Sequence, residues 1–261
     1  MNTLKVNGEV LNYDCHGEGS PLILLLPQST APSGYDELLG HLSKKHRVIR
    51  YDPREIADRV VGPKSGSIES QADAVAEFLQ VLNIGPVSVL GYSTGCGVSI
   101  ALAATKPEQV TKMALISPWT HGDIHLKGIQ NLRINVARQL PAEHYAHLNA
   151  SLLFSPEYRH ANQSGFVELV KQTIAQPPDA DLIERRLVAI LAFDARPLLV
   201  NIKCDTFVVN ATDDQLMPCW FGREIHAGIR SCEILEFDSG GHMLLDTRRD
   251  EIASKLLGFF S

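Results

Sequence analysis

One serine stands between two glycines at the point where a strand-like run gives way to a helix-like run. Residues 87–90 have strand character, Gly91-Tyr92-Ser93-Thr94-Gly95 follows them, and residues 98–104 have helical character. This pattern is typical of a sharp turn that presents a serine nucleophile above a sheet. Both glycines are needed because neighbouring backbone lies close to such a turn. The helix start favours developing negative charge, so the N–H of Thr94 is a candidate oxyanion donor.

A serine nucleophile needs a base, and the base needs an acid that orients it. His242 is the candidate base because it follows the predicted strand Glu233–Phe237 through Asp238-Ser239-Gly240-Gly241. The two glycines allow that loop to take an unusual path, which can bring an imidazole over the sheet. We interpret the remaining histidines as residues of the surface, of the N-terminal hairpin or of the helical segment described below.

The acid should follow the predicted strand Thr206–Asn210, where the sequence offers two aspartates, Asp213 and Asp214. In a strand–helix architecture the chain order is serine, then acid, then histidine, and both aspartates satisfy it. The spacing to Pro218 favours Asp214, which leaves Asp213 as a loop residue that forms a turn or a salt bridge. We therefore predict a triad of Ser93, His242 and Asp214, with Asp213 as the alternative acid.

Strands and helices alternate along most of the chain, and this alternation must position the triad. Strands are predicted at Leu4–Val6, Val10–Tyr13, Leu22–Leu26, Arg47–Asp52, Val87–Leu90, Val110–Ile116, Cys204–Asn210 and Glu233–Phe237. Helices are predicted at Tyr35–Ser43, after Ser67, after the serine turn, at Trp220–Ala227 and at Arg249–Phe260.

From Thr120 to Arg196 the alternation stops and only helical periodicity remains. The helices there are predicted at Gly128–Leu140, Ala142–Leu153, Ser164–Ala175 and Asp179–Leu191, with prolines between them. Strand–helix alternation on either side of a helical block predicts an α/β fold with a mostly parallel sheet flanked by helices. The expected division is a core of residues 1–119 and 197–261 and an inserted helical cap of residues 120–196.

Composition narrows the function classes. The chain has 261 residues and a formal net charge of −6, and its longest basic run is Lys44-Lys45, so nothing indicates nucleic-acid binding. Its apolar runs are far shorter than the roughly 20 residues that span a bilayer, and no signal-peptide pattern opens the sequence. Five scattered cysteines without CxxC spacing suggest plain thiols in a reducing cytoplasm, with no metal site.

The motifs resemble the α/β-hydrolase superfamily over essentially the whole chain. The resemblance rests on the serine pentapeptide, on Asp214 with Pro218 four residues later, and on Gly240-Gly241-His242. Within the superfamily, the length and the four-helix cap are similar to the 3-oxoadipate enol-lactonase and small carboxylesterase group. The resemblance implies a serine hydrolase that cleaves a small ester or lactone through an acyl-enzyme, without a metal or an organic cofactor.

Two segments depart from that superfamily pattern. Pro27-Gln28 stand where its members usually carry His-Gly, so the second oxyanion N–H would come from Ser29. The Gln28 side chain either turns away or points into the pocket as an amide donor. Residues 52–57, Asp-Pro-Arg-Glu-Ile-Ala, lack both glycines of the usual loop. Trp119, just after a predicted strand, is a further candidate for binding the substrate.

Other functions remain open on the same residues. The predicted triad also suits a C–C bond hydrolase or an aminoacrylate-type hydrolase. A different class is a ligand-binding or regulatory protein on a hydrolase fold, with weak activity. The substitutions at Gln28 and Glu55 favour that class, whereas the intact set of Ser93, His242 and Asp214 argues against it.

Overall fold

An eight-stranded sheet forms the centre of the computed structural model, which describes residues 2–6, 9–27, 35–51 and 66–261. The strands are β1 (Asn2–Val6), β2 (Glu9–His16), β3 (Ser20–Leu25), β4 (His46–Tyr51), β5 (Val87–Tyr92), β6 (Val110–Ile116), β7 (Asp205–Ala211) and β8 (Cys232–Phe237). Their spatial order is β1-β2-β4-β3-β5-β6-β7-β8. The pairs β1–β2 and β2–β4 are antiparallel, and every later neighbour is parallel. The predicted mostly parallel α/β fold is therefore confirmed.

The central strands are apolar along their length because helices cover both faces of the sheet. All six residues of β5 are buried, and the last four residues of both β3 and β6 are buried as well. Continuous apolar runs of this kind are expected for parallel strands that have no solvent-facing side. Parallel pairing of β5, β6, β7 and β8 brings the carboxyl ends of these strands to one edge of the sheet, and the candidate residues follow those ends.

Helices from different parts of the chain form the two outer layers. They are α1 (Tyr35–Leu42), α2 (Ile68–Val81), α3 (Thr94–Thr105), α4 (Ile124–Gln139), α5 (Ala142–Leu153), α6 (Pro156–Ala161), α7 (Gln163–Ala175), α8 (Ala180–Ala192), α9 (Trp220–Gly228), α10 (Leu244–Thr247) and α11 (Arg249–Phe260). One buried cluster packs α2, α3 and α9 against a face of the sheet. A second cluster packs α1 and α11 against the other face.

Five helices, α4 to α8, connect β6 to β7. Four were predicted from periodicity, and the fifth, α6, lies in a stretch that we interpreted only as a proline break. Its start signal is local: Ser155 accepts the N–H of Tyr158 at 3.3 Å, and Pro156 occupies the first turn. Helix α4 begins four residues earlier than predicted because Asp123 caps it, accepting the N–H of Leu126 at 2.7 Å. His121 and Asp194 pair as an isolated bridge at the base of the segment.

Candidate active site

Ser93 occupies a strained turn between β5 and α3. Its backbone has φ 49° and ψ −117°, a region that residues other than glycine seldom adopt. The flanking glycines permit the turn. A Cβ at Gly95 would lie on the carbonyl of Leu25, and one at Gly91 would lie 2.8 Å from the carbonyl oxygen of Gly95. The Ser93 N–H donates to Ile116 O at 2.9 Å, which ties the turn to β6.

The three predicted triad residues lie together. The Nε2 atom of His242 is 2.9 Å from Oγ of Ser93, and its Nδ1 atom is 2.8 Å from Oδ2 of Asp214. All three residues are buried, with exposed fractions of 7% for Ser93, 1% for His242 and 3% for Asp214. Because a carboxylate can only accept, Nδ1 carries the proton and Nε2 is free to accept the serine hydroxyl proton.

Both oxygens of Asp214 are occupied. Oδ1 accepts the backbone N–H groups of Leu216 and Met217 at 2.8 and 2.9 Å, and Oδ2 faces the imidazole. Hydrogen bonds to both oxygens hold the carboxylate in one orientation. The side chain can therefore fix both the tautomer and the angle of the His242 ring.

Asp213, the alternative acid, contacts the backbone in front of the histidine. Its Oδ2 and Oδ1 atoms accept the N–H groups of Gly240 and Gly241 at 3.1 and 2.8 Å. Both glycines have positive φ, at 150° and 67°, as the double-glycine loop requires. Asp213 thus holds the loop that precedes His242. We expected Asp213 to be a loop residue that forms a turn or a salt bridge, and instead it accepts hydrogen bonds from the backbone of this second loop.

The carbonyl of His242 is held from two sides. The hydroxyl groups of Tyr92 and Ser117 donate to this oxygen at 3.0 and 2.9 Å. The Tyr92 ring is also stacked on the imidazole, with centroids 6.1 Å apart and planes at 17°. Burial holds the pKa of Tyr92 well above its usual value, so the phenol stays a donor. Our sequence analysis did not identify either contact, although Tyr92 lies within the serine pentapeptide.

A cavity of about 80 Å³ opens beside the serine. The sheet side contributes Pro27, Tyr92, Ser93, Thr94, Leu216, Met217, His242 and Met243, and the helical segment contributes Gln130, Arg133, Tyr145, Leu153, Ile183, Arg186, Leu187 and Ile190. Thr94 begins α3, so its N–H makes no intrahelical hydrogen bond and remains available at the cavity. Gln28, Ser29 and the segment 52–57 lie outside the described residues.

Trp119 occupies a different position from the one we expected. It is fully buried in the core, its indole N–H donates to Ile190 O at 3.3 Å, and its ring packs edge-on against Phe193. A Cβ at Gly97 would lie 2.5 Å from the indole, which shows how closely α3 packs against it. Trp119 is absent from the described lining of the cavity, because packing between the sheet layer and α8 encloses the ring.

Cys96 lies on the first turn of α3, close to the serine in sequence. Its thiol donates to Ile116 O at 3.2 Å and is fully buried. Burial holds the pKa of this thiol well above its usual value, so the reactive thiolate is disfavoured. We therefore interpret Cys96 as a packing residue.

The described residues form neither a metal cluster nor a membrane-spanning helix. In the described ranges, no group of three or more His, Cys, Asp or Glu side chains is arranged to hold a metal ion. Among the helices that the structure describes, none has the length and apolarity needed to cross a bilayer.

Curated relatives align with nearly the whole chain. A protein of Azorhizobium caulinodans named "Putative carbamate hydrolase RutD" is 27% identical over 251 residues, covering 95% of this chain and 94% of the relative. A protein of the same name from Serratia proteamaculans is 25% identical over 253 residues, covering 95% and 94%.

Solved structures share the fold. The alpha/beta hydrolase MGS-M2 from a Medee basin deep-sea metagenome library has a TM-score of 0.89 at 19% identity, covering 99% of this chain and 97% of that one. The enol-lactonase of Burkholderia xenovorans LB400 has a TM-score of 0.83 at 24% identity, covering 99% of both chains. At these identities the similarity establishes the fold.

The family assignment rests on the sequence match. The model of the alpha/beta hydrolase family matches residues 10–255, which include all of the strands from β3 to β8 and the three residues of the serine–histidine–aspartate arrangement. This protein belongs to the alpha/beta hydrolase family.

Proposed function

We propose that this hydrolase cleaves a small carboxylic ester or lactone through a Ser93–His242–Asp214 triad and an acyl-enzyme intermediate. The single observation that carries the proposal is the continuous chain of contacts from Ser93 Oγ to His242 and on to Asp214, at 2.9 and 2.8 Å. These distances lie within the range that proton transfer between a nucleophile and its base requires. The three residues are far apart in the sequence, so the fold must bring their side chains together for these contacts to form.

The proposed reaction proceeds in two halves. Ser93 Oγ attacks the acyl carbon while its proton passes to Nε2 of His242, and the resulting imidazolium is stabilised by Asp214. The tetrahedral intermediate collapses, and the leaving alkoxide takes the proton from Nε2. A water molecule then attacks the acyl-enzyme with His242 again as base, and the proton returns to Ser93 as the acid product departs.

The oxyanion of the intermediate requires N–H donors. The Thr94 N–H is one proposed donor, because it begins α3 beside the nucleophile and lines the cavity. Ser29 N–H is the second proposed donor, and Gln28 is a proposed amide donor beside it. If the Gln28 amide contacts substrate, Gln28→Gly and Gln28→Ala should each lower kcat/KM by roughly ten- to a thousandfold. A change under threefold in both variants would make Gln28 a scaffold residue.

We also propose that residues 120–196 act as a cap over the core of residues 1–119 and 197–261. The cavity lining supports this division, since Tyr145 and Leu187 from the helical segment face it together with Ser93. The cap is also tied to the triad loop, where the Met243 N–H donates to Leu153 O at 3.0 Å. Such a cover excludes water, which strengthens the electrostatic interactions at the nucleophile.

Hydrolysis of a carbamate is a second candidate function. The curated relatives favour it, because they are named "Putative carbamate hydrolase RutD" and align over nearly the whole chain. A carbamate carbonyl also accepts a serine nucleophile, so the same three residues would serve it. A C–C bond cleavage or an aminoacrylate-type hydrolysis would use them too, and the substrate alone distinguishes these reactions.

A panel of esters, lactones and carbamates, combined with an active-site probe, tests the proposal. A fluorophosphonate should label wild-type protein at Ser93, and Ser93→Ala should lose both labelling and at least about four decades of kcat. Ser151→Ala, a change at an exposed hydroxyl on α5, is the matched control and should keep both. Turnover by Ser93→Ala within tenfold of wild type would reject the triad. Absence of labelling and turnover in wild type would instead favour the ligand-binding class.

A further inference from the structure

The cap side of the cavity holds a buried arginine that two neutral side chains orient. Arg133 on α4 is only 6% exposed. Its Nε donates to Oδ1 of Asn149 on α5 at 2.9 Å, and its Nη1 donates to Oε1 of Gln130 on α4 at 2.8 Å. The guanidinium is therefore held by hydrogen bonds to side chains of α4 and α5 before any ligand binds.

Two donors beside this arrangement lack acceptors. Within the described part of the chain, Nη2 of Arg133 makes no hydrogen bond, and Nε2 of the fully buried Gln130 has none either. Because a guanidinium only donates, the Gln130 atom that faces it must be the oxygen, so Arg133 does not satisfy the amide nitrogen. Buried polar groups are normally paired, so the buried Gln130 amide nitrogen, which has no acceptor among the described residues, indicates a missing acceptor in the cavity wall.

The charge around the cavity is also unbalanced. Arg133 lines it, whereas none of its described lining residues is Asp or Glu. None of the ion pairs among the described residues involves Arg133. A buried cation without a counter-ion is costly, which is explained if the counter-ion belongs to the ligand. The carboxylate of Asp214 is already bound to His242 and two backbone N–H groups.

We propose that Arg133 and Gln130 form a subsite for a carboxylate carried by the substrate itself. The inference rests on the proposed function, since it places the scissile carbonyl at Ser93 and the carboxylate at the cap side of the same cavity. A guanidinium presents parallel N–H groups that match a planar carboxylate, and the Gln130 amide adds a third donor. The substrate class is thus a short ester, lactone or carbamate whose acid portion ends in a free carboxylate.

Matched pairs of methyl esters test the charge preference. The anionic member is monomethyl malonate, succinate or glutarate, and the neutral member carries a carboxamide in place of the free carboxylate. Wild-type protein should show a kcat/KM for the best anionic ester that is about a hundredfold above that of its neutral partner. The chain length of the best ester reports the span from Ser93 to Arg133.

Variants at Arg133 locate the preference. Arg133→Met should lower the anionic-to-neutral ratio of kcat/KM by about a hundredfold, and Arg133→Lys should restore part of it because the charge returns without the planar fork. A general loss of activity lowers kcat/KM for both esters by the same factor, so it leaves this ratio unchanged. Arg138→Met is the control on the same helix, because Arg138 is exposed and pairs with Asp181 and Glu184, and its ratio should match wild type. If Arg133→Met does not fold, Gln130→Met replaces it, and we expect a smaller decrease in the anionic-to-neutral ratio of kcat/KM for that variant.

A binding measurement separates this proposal from the proposed function. Ser93→Ala protein should bind free succinate in isothermal titration calorimetry, and Ser93→Ala with Arg133→Met should lose at least about tenfold in affinity. Hydrolysis of neutral esters with an anionic-to-neutral ratio near one, unchanged by Arg133→Met, would overturn the subsite while the serine hydrolase stands. Succinate binding that depends on Arg133 in a protein without turnover or fluorophosphonate labelling would uphold the subsite and reject the hydrolytic role of Ser93.

Discussion

The carboxylate of Asp213 accepts the N–H of Gly241 at 2.8 Å, one residue before the histidine that faces Ser93. The next carboxylate along the chain, that of Asp214, faces the side chain of the same histidine. Two adjacent aspartates after β7 therefore hold the loop after β8 in two ways, one through its backbone and the other through the imidazole. Because Asp213 contacts the loop backbone and Asp214 contacts the imidazole, substitutions at the two positions should affect kcat differently.

We expect Asp214→Asn to lower kcat by about four decades, since an amide favours the wrong tautomer of His242 and stabilises the imidazolium poorly. Asp213→Asn should lower kcat by tenfold or less, because its remaining carbonyl oxygen still accepts from the Gly240–Gly241 backbone. Steady-state kinetics of the two variants, with melting temperatures as the folding control, checks the ranking. The reverse ranking would transfer the acid role to Asp213.

The hydroxyl of Tyr92 offers a test of how the histidine backbone is held. Tyr92→Phe should lower the free energy of unfolding by about 1 kcal/mol, the usual worth of a buried hydrogen bond, and should lower kcat because His242 loses one of two restraints. Tyr35→Phe is the matched control, since the Tyr35 hydroxyl is buried without a hydrogen-bond partner among the described residues. It should be neutral or slightly stabilising. Urea unfolding and kcat measurements that show equal effects for both variants would contradict a restraining role for Tyr92.

The close approach at the serine turn makes a second pair of variants informative. Gly95→Ala would place a methyl group on the Leu25 carbonyl, so the turn must open, and we expect loss of fluorophosphonate labelling together with a lower melting temperature. Gly128→Ala is the comparison, because nothing lies within 4 Å of the added Cβ on helix α4. That substitution should stabilise the protein by up to about 1 kcal/mol through helix propensity. Retained labelling in Gly95→Ala would show that the turn tolerates a side chain.

His46 at the start of β4 should make stability depend on pH. It is buried against Phe260, and burial lowers its pKa; the Ser20 backbone opposes this effect in part, and Lys45 and Lys112 add to it. Below the ordinary histidine pKa of about 6.5, His46 is protonated in the unfolded chain while it stays neutral in the folded protein. The stability from neutral His46 is therefore complete above about pH 6.5 and is lost as the pH falls below that value.

Denaturant unfolding between acidic and neutral pH checks this dependence. His46→Gln should flatten the stability curve below the ordinary histidine pKa. His144→Gln, a change at an exposed histidine on α5, should leave the curve as in wild type. A wild-type curve that is already flat across this range would contradict the effect of burial on His46.

Local patterns in the sequence determined the fold class and the setting of the nucleophile. Strand runs, helical periodicity and the paired glycines around Ser93 report short-range geometry, and helix α11 was predicted with its observed bounds, Arg249–Phe260. The motif at Gly240–Gly241 also predicted the turning loop, because positive φ at successive positions requires glycine. The short helix α6 was not predicted because its start signal is brief, and the burial of Trp119 in the core depends on packing that the sequence does not show.

Contacts between distant parts of the chain were decided only by the tertiary structure. The choice between the adjacent Asp213 and Asp214 depends on how β7 and β8 align, and the contact of Tyr92 with His242 joins residues 150 positions apart. The orientation of Arg133 likewise depends on Asn149 from the neighbouring helix. Residue spacing alone does not determine such contacts, since it does not fix the packing of separate elements. The sequence therefore determined which residues could form the site, and the packing of sheet and helices decided which atoms meet.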